Sequence, residues 1–347
     1  MKKNILIIGA GLAGLSLAYH LKKKGHSVLL LDKGENFSST IAAGMVNPMV
    51  FRRMNKSWRL DEFMPTAIEF YKELELQLNV KFYHPISIYR CFSSLQEKTW
   101  WNEKSAEPEY SNYLGETLSE NQLTEEIKSE FGTGIVKQAF WINAALFVQT
   151  LQHYFSSNKE LIYQEFDLEK FDPVNKIYNN KSFDDIVFCV GYAQHKLPFF
   201  ENVPIQQTKG QLMTIKTIGL SNDYSLNRKC FVIPVGENIF KVGATYEWHN
   251  DTTHCTSEGL IEIKEKLAHL YTGSYDLVKQ EAGIRPTVSD RRPVLGKSHE
   301  YNHIFLFNGL GTKGYMMAPL LANEMADLIL EGKEPPLEYN SLRFSSI

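Results

Sequence analysis

This sequence predicts an α/β chain, α+β overall, in which a discontinuous domain with a parallel sheet is interrupted by a second domain built on a large antiparallel sheet. Three observations carry that prediction. Residues 4–32 read as strand, glycine turn, helix, strand; a second glycine-rich strand-to-helix turn occupies 305–314; and long alternating strands fill the stretch from about 204 to 282.

The elements follow in order. Ile5-Leu6-Ile7-Ile8 is a short apolar run, an amphipathic run reaches Lys24, and residues 28–31 close a βαβ unit suited to a parallel sheet. Phe63, Met64, Ala67, Phe70, Tyr71 and Leu74 recur at helical spacing and predict a helix over 61–77 with one buried face. Residues 79–95 read as strands, and 101–130, polar and glutamate-rich with Pro108 and Gly115, as exposed loops and short helices. The first domain resumes at 137–155, where a short strand to Ile142 precedes Asn143 as N-cap and a helix bearing Leu146, Phe147, Leu151 and Tyr154 on one face. A hairpin near 161–179 and a strand over 185–190, ended by Gly191, complete its sheet. Strands at 209–216, 230–233 and 239–245 with a helix over 257–270 form the second domain, and a strand at 304–307 and a helix at 319–330 return to the first. The expected division is 1–78, 137–203 and 283–347 for the first domain and 79–136 and 204–282 for the second.

Composition narrows the function. The chain has 347 residues, 43% apolar and 22% charged, which suits two joined domains sharing a sizeable core. With 37 basic against 40 acidic residues the net charge is -3, so the molecule lacks the positive field of a dedicated nucleic-acid binder, although a confined basic patch stays open. Cys91, Cys189, Cys230 and Cys255 form no C-x-x-C pair, which removes a zinc ribbon and a dithiol and fits a reducing, cytoplasmic setting. The ten histidines lack metal-type spacing, so no metal site is expected. Lys2-Lys3 before Ile5 mimics a secretory signal, but glycines break the apolar run at once, and no stretch is long enough to span a bilayer.

The glycine turn holds Gly9, Gly11, Leu12, Ala13 and Gly14 between strand and helix, and Asp32 ends the next strand. That is the Rossmann-like fingerprint of a dinucleotide site: Gly9 for the tight turn, Gly11 for approach of a pyrophosphate, Gly14 for close helix packing, and Asp32 to accept from the ribose hydroxyls. The charge of Asp32 disfavours a ribose phosphate, although Lys33 is adjacent. The second turn, Asn308-Gly309-Leu310-Gly311-Thr312-Lys313-Gly314, distinguishes a flavin from a nicotinamide. A reduced flavin gathers negative charge at its pyrimidine edge and gains from a second helix N-terminus there, to which Lys313 would add a full charge. The alternative is a helix-capping loop with a solvated lysine.

At these residues the sequence resembles the D-amino-acid-oxidase (DAO) superfamily, which contains glycine oxidase, sarcosine oxidase and the oxidase domain of a bifunctional tRNA wobble-uridine modification enzyme. The resemblance covers nearly the whole chain: the glycine loop, Ala42-Ala43-Gly44-Met45, Trp141-Ile142-Asn143, the strand ending at Val190 and Gly191, Lys209-Gly210-Gln211, Gly243-Ala244-Thr245, Gly283-Ile284-Arg285-Pro286, Asp290-Arg291-Arg292-Pro293-Val294-Leu295-Gly296, and the last glycine turn with Ala318-Pro319. It implies a discontinuous FAD-binding domain and a substrate domain. The backbone of Ala42, Ala43, Gly44 and Met45 would lie against flavin and pyrophosphate, Leu168 would hold adenine through its main chain, and Val190, Gly191 and Thr312 would join the cofactor site. No cysteine stands near the final turn, where sarcosine oxidase tethers its flavin, so FAD is expected to be non-covalent.

The resemblance also supplies substrate residues. Arg285 matches a carboxylate clamp and has the guanidinium geometry for one, against the alternative of an interdomain ion pair with Asp290. Tyr246 matches a pocket wall, or else a core tyrosine. Phe231 stands where glycine oxidase has a substrate-facing tyrosine. Lys241 resembles the sarcosine oxidase lysine that promotes reaction of reduced flavin with oxygen, against a solvated strand lysine. The basic run 51–59 places Arg52 or Arg53 beside the flavin segment, against a solvated loop or an RNA-phosphate grip. The expected activity is oxidation of a C–N bond in an amino acid or N-substituted glycine, with O2 as acceptor and hydrogen peroxide as product. The alternatives are oxidative removal of a carboxymethyl group from a modified tRNA uridine, and a flavin-binding protein without oxidase chemistry.

Overall fold

The structure, a computed structural model, describes the chain apart from residues 36, 121, 249, 251 and 345–347 and the side chains of residues 37, 195 and 196. The end of the expected 283–347 segment therefore lies outside the described residues. A six-stranded sheet runs in the order Leu161–Tyr163, Ser27–Asp32, Asn4–Ile8, Asp185–Phe188, Ile304–Asn308, Val294–Lys297. The first five strands are mutually parallel and the last is antiparallel. Along Asn4–Ile8, Ile5 and Ile7 enter one core while Leu6 and Ile8 enter another. Burial on both faces is why this strand reads as an unbroken apolar run instead of an alternating one.

Helices Leu12–Lys23 and Gly314–Glu331 pack against each other on the first core's side. The second of these starts before Pro319, where the sequence suggested it would begin. A proline inside a helix deprives the carbonyl four residues back of its donor. Here that carbonyl is Tyr315 O, and the hydroxyl of buried Tyr71 donates to it at 2.7 Å. Tyr71 comes from helix Leu60–Leu78, whose apolar stripe is buried as its spacing predicts.

The second sheet has nine strands. Gln206–Lys216 lies between Asp276–Thr287 on one side and Ile239–Gly243 with Glu247–Trp248 on the other. The sheet continues through Phe231–Gly236, Tyr224–Asn227, Ser87–Cys91, Thr133–Val136 and Leu114–Leu118. It is antiparallel except where Tyr224–Asn227 meets Ser87–Cys91. One face packs Met213, Ile215, Val232, Phe240 and Val242 against Ile263 and Leu267 of helix Ser257–Ala268. The opposite face carries the candidate substrate residues.

Two stretches differ from expectation. Residues 101–130 hold short helices as expected but are not all exposed: helix Leu95–Ala106 buries Trp101 over Gly134, where a Cβ would strike the indole, and Leu114–Leu118 is a sheet strand. Charged residues on the outer side hid that single apolar anchor. The stretch near 161–179 is not one hairpin, because Leu161–Tyr163 joins the parallel sheet and the antiparallel unit lies at Phe171–Asp172, Ile177–Tyr178 and Lys181–Ser182.

Candidate cofactor and substrate site

Three adjacent parallel strands, ending at Ile8, Phe188 and Asn308, lead into turns at Gly9, Gly191 and Gly309, with φ of +103°, +57° and +73°. The angle at Gly9 is one that only glycine takes without strain, and positive φ favours glycine at the other two. A Cβ on Gly9 would strike the Cys189 carbonyl, and one on Gly14 would strike the Gly9 carbonyl. Both helices that follow, Leu12–Lys23 after Gly11 and Gly314–Glu331 after Gly311, Thr312 and Lys313, begin at N-cap residues, Gly11 and Lys313, that make no side-chain capping bond. Their N–H groups and partial positive charge are the features that hold an anionic cofactor. The two starts are neighbours, since a Cβ on Gly314 would contact Leu12 Cδ2 at 3.0 Å.

The segment between the first two strands of the βαβ unit and Met45 clasps these parts together. Ser39 Oγ accepts from Leu12 N at 3.0 Å, and Ser39 O accepts from Tyr315 OH at 2.7 Å, so one residue ties both helix starts. Ser38 Oγ donates to Ile284 O, linking the same segment to the strand that carries Arg285. Ala42, Ala43 and Met45 are half-buried and Gly44 is buried at φ +74°, where a Cβ would strike the Ile142 carbonyl.

Asp32 is 8% exposed; its Oδ2 accepts from Ala10 N at 2.6 Å and its Oδ1 from Gly34 N at 2.8 Å. The carboxylate thus shapes the glycine turn. Lys33 points to the surface and pairs with Glu35 at 2.8 Å. Leu168 opens a short 3-10 turn beyond the edge strand Leu161–Tyr163 and is 40% exposed. Val190 and Gly191 close the central strand, where Asn308 Nδ2 donates to Gly191 O at 2.8 Å.

Lys313 is not solvated. Its Nζ donates to Asn47 O at 3.0 Å and to Ser57 Oγ, and burial pulls its ammonium down to about 8. The lysine thereby fastens the start of the last helix to the segment that follows Met45.

The large sheet gathers the remaining candidates on one face. Register pairs Arg285 with Thr208, Gly243 with Leu212 and with Phe231, and Lys241 with Thr214, so Arg285, Phe231 and Lys241 project to the same side. The Arg285 guanidinium lies over Gly210, where a Cβ would strike it, and 5.4 Å from the Tyr246 ring. It has no carboxylate partner among the described residues, and burial lowers its pKa. The alternative pair with Asp290 does not form: Asp290 accepts from Arg343 at 3.0 Å. Tyr246 is no core residue, being 39% exposed. Lys241 is half-buried, with its pKa lowered by burial, so it is not a solvated strand lysine. From Thr208 to Thr214 the rows of Arg285 and Lys241 are on the order of 20 Å apart along the strand.

Within the basic run, Lys56 pairs with Asp61 at 2.7 Å, and Arg59 with Glu62 at 2.7 Å and Glu324 at 2.6 Å. Arg52 and Arg53 are exposed on the short turn Phe51–Arg53. Sequence reasoning missed Ser38 and Ser39, Ser57 and Asn47, and the polar heart of the sheet. There Gln211, fully buried, donates to Glu247 at 2.9 Å and accepts from Thr256 N and Gln280 Nε2, each at 2.9 Å. Buried Lys209 donates to Thr252 Oγ1 at 3.0 Å. Lys209-Gly210-Gln211 stood out as a motif, but spacing alone gave it no role. Thr208 Oγ1 and Thr214 Oγ1 are buried on the candidate face without a partner among the described residues.

This geometry fits a long dinucleotide: two helix starts side by side, glycine turns a Cβ would fill, and a polar face opposite. Among the described residues no cluster of three or more His, Cys, Asp or Glu is placed to hold a metal, and no helix is long and apolar enough to cross a membrane. The chain is 27% identical over 97% of its length to the bifunctional protein ThiO/ThiG of a Nostoc species and spans 54% of that relative. It is 24% identical to the uncharacterized oxidoreductase YurR of Bacillus subtilis, covering 97% of each, and 23% identical to glycine oxidase of Bacillus licheniformis, covering 94% of this chain and 92% of that one. In fold it is similar to glycine oxidase of Geobacillus kaustophilus, with TM-score 0.78, 18% identity and 96% of each chain covered. It is also similar to L-proline dehydrogenase of P. horikoshii, with TM-score 0.82, 16% identity, and 99% of this chain and 98% of that one covered. The sequence model of the DAO family, described as FAD dependent oxidoreductase, matches residues 4–328, so the chain belongs to that family and is an FAD-dependent oxidoreductase.

Proposed function

We propose that the protein oxidises the C–N bond of an amino acid or N-substituted glycine, with O2 as electron acceptor and FAD held non-covalently. The observation that carries this reading is the half-buried Arg285 guanidinium, without a carboxylate among the described residues and walled by Tyr246. A buried cation in that state is best satisfied by a ligand carboxylate, which its fork of donors meets with two bonds. Bound FAD supplies the two-electron acceptor. Arg285 anchors the carboxylate, Tyr246 borders it, and Phe231 with Leu212 forms an apolar floor that excludes water around the carbon bearing nitrogen. In the net reaction the C–N unit loses two electrons and becomes an imine, while O2 takes them with two protons as hydrogen peroxide. Lys241 supplies positive charge where oxygen is reduced. Gly9, Gly11, Gly14 and Asp32 hold the adenosine pyrophosphate half; the backbone at Ala42 to Met45 and the helix start at Lys313 hold the flavin half. Mixing flavin-loaded protein anaerobically with glycine, sarcosine, proline, iminodiacetate and D- and L-amino acids tests the proposal. Bleaching by at least one carboxylated amine is the expected result; a flavin that stays yellow with all of them rejects it and favours a non-oxidase role.

A second reading has one specific support, the exposed pair Arg52 and Arg53 beside the expected flavin segment. The tRNA 5-methylaminomethyl-2-thiouridine biosynthesis bifunctional protein MnmC of Marinobacter nauticus is 23% identical over 94% of this chain, which spans 55% of it. On this reading the carboxymethyl group removed is borne by a modified tRNA uridine. Retention on tRNA that fades with added salt supports it, and no retention at low salt removes it.

A further inference from the structure

Among the described residues the Arg285 guanidinium has one hydrogen-bond acceptor, the main-chain carbonyl of Thr245 at 3.5 Å. A neutral carbonyl satisfies a donor without cancelling the charge, so the cation stays available to a carboxylate. What holds Thr245 in place is Gln211. Both residues are fully buried, and they grip each other twice. Gln211 N donates to Thr245 Oγ1 at 2.9 Å, and Thr245 N donates to Gln211 O at 3.2 Å. The Gln211 side chain then fastens both ends of the loop that follows, with Nε2 donating to Glu247 Oε1 at 2.9 Å and to Thr256 Oγ1 at 3.0 Å.

That loop carries an acid, Glu247, two residues beyond Thr245, and an ion pair between it and Arg285 would close the clamp to any ligand. Register pairs Arg285 with Thr208 but Glu247 with Lys209, and successive positions of a strand face opposite ways. Glu247 is therefore turned to the reverse face of the sheet. There Gln211 Nε2, Asn250 Nδ2 at 2.9 Å and Thr245 Oγ1 at 3.4 Å all donate to it. Gly210 separates the two faces, and its missing Cβ leaves the guanidinium room to lie on the sheet.

We infer that Gln211 is the positioning residue of the anion clamp: it fixes Thr245 and holds Glu247 on the reverse face, so that Arg285 meets a neutral carbonyl and keeps its charge for a ligand carboxylate. This inference rests on the proposed role of Arg285 and adds what sets that role.

Acetate reads the clamp without turnover, through the flavin difference spectrum of the flavin-loaded protein. Gln211→Glu removes both side-chain donors and sets a second carboxylate against Glu247, while Thr245→Val removes the hydroxyl and keeps its shape. Each is expected to weaken acetate at least about tenfold, as loss of one charge-assisted bond does, with flavin per chain at the parent's level. Ser225→Ala removes a different buried hydrogen bond of the same sheet, from Ser225 Oγ to Val232 O at 2.8 Å, and should leave acetate affinity unchanged. Parent-like affinity in either folded variant, a matching loss in Ser225→Ala, or loss of flavin in step with acetate overturns the inference. Should Gln211→Glu not fold, Thr245→Val decides alone. Arg285→Met separates the two layers. If it binds acetate as the parent does, or if the parent binds none, the clamp itself fails and the inference with it. If it loses acetate while Gln211→Glu and Thr245→Val keep it, only the positioning role fails.

Discussion

Replacing Arg285 with methionine keeps an unbranched side chain but deletes the guanidinium and its charge, and the structure predicts opposite effects on catalysis and on stability. Two charge-assisted hydrogen bonds to a substrate carboxylate, at about 1.5–2.5 kcal/mol each, are together worth about 3–5 kcal/mol. Removing them lowers kcat/KM by roughly a hundredfold to several thousandfold. The folded protein, by contrast, loses a half-buried cation that has no carboxylate partner among the described residues and whose charge burial disfavours. Arg285→Met is therefore expected to melt within about 1 kcal/mol of the parent, or slightly above it. The assay is the second-order rate of anaerobic flavin bleaching, compared between a carboxylated amine and its decarboxylated analogue, sarcosine against dimethylamine. The variant should approach the parent's rate on the analogue and lose its advantage on the acid. Equal losses on both amines, or a large drop in Tm, would refute the clamp and make Arg285 a structural residue.

Other outcomes follow from the same face and the two glycine cradles. Lys241→Met should slow reoxidation of reduced flavin by O2 while leaving anaerobic reduction intact, and stopped-flow traces in which both rates fall together would count against the role given to it. Burial lowers Lys313 from 10.5 to about 8. The flavin absorbance of the parent should show an alkaline titration that vanishes in Lys313→Met. Its folded pKa lies below the ordinary 10.5, so the folded state binds fewer protons than the unfolded one between those values, and stability relative to Lys313→Met should rise with pH across that window. Gly14→Ala forces a Cβ into the Gly9 carbonyl and should yield protein with little bound flavin, measured by absorbance per chain, at a cost of about 1–3 kcal/mol. Burial lowers His20 from 6.5 to about 4, so the unfolded chain binds more protons between these values. Stability should fall as pH drops through that window, and denaturant melts of His20→Gln should show a flatter acid limb.

Much of this was legible in the sequence because it depends on local rules. Gly9 and Gly14 announce a strand-to-helix turn since a Cβ at either would strike backbone, and the stripe from Phe63 to Leu74 announces a helix because it recurs at its period. Asn143 caps its helix, with Oδ1 accepting from Leu146 N at 3.2 Å, as its position before an apolar run suggests. What stayed hidden depends on contacts between distant residues. Nothing near Pro319 reveals that Tyr71 would supply the missing donor and let the helix start at Gly314. Trp248 carried no motif, and only the pairing of its strand with Gln206–Lys216 brings it beside Arg285. Lys241 read as a surface lysine because alternation cannot tell a face turned to solvent from one turned to another domain.

The hydroxyl and carbonyl of Ser39, engaged by opposite termini of the polypeptide, make a keystone of a residue that lies in neither terminal motif. With its neighbour Ser38 fastened to the strand bearing Arg285, any shift of this short stretch displaces both halves of the nucleotide berth and the anion clamp at once. A substitution that loosens this stretch should therefore weaken the hold on the yellow chromophore and on carboxylates together.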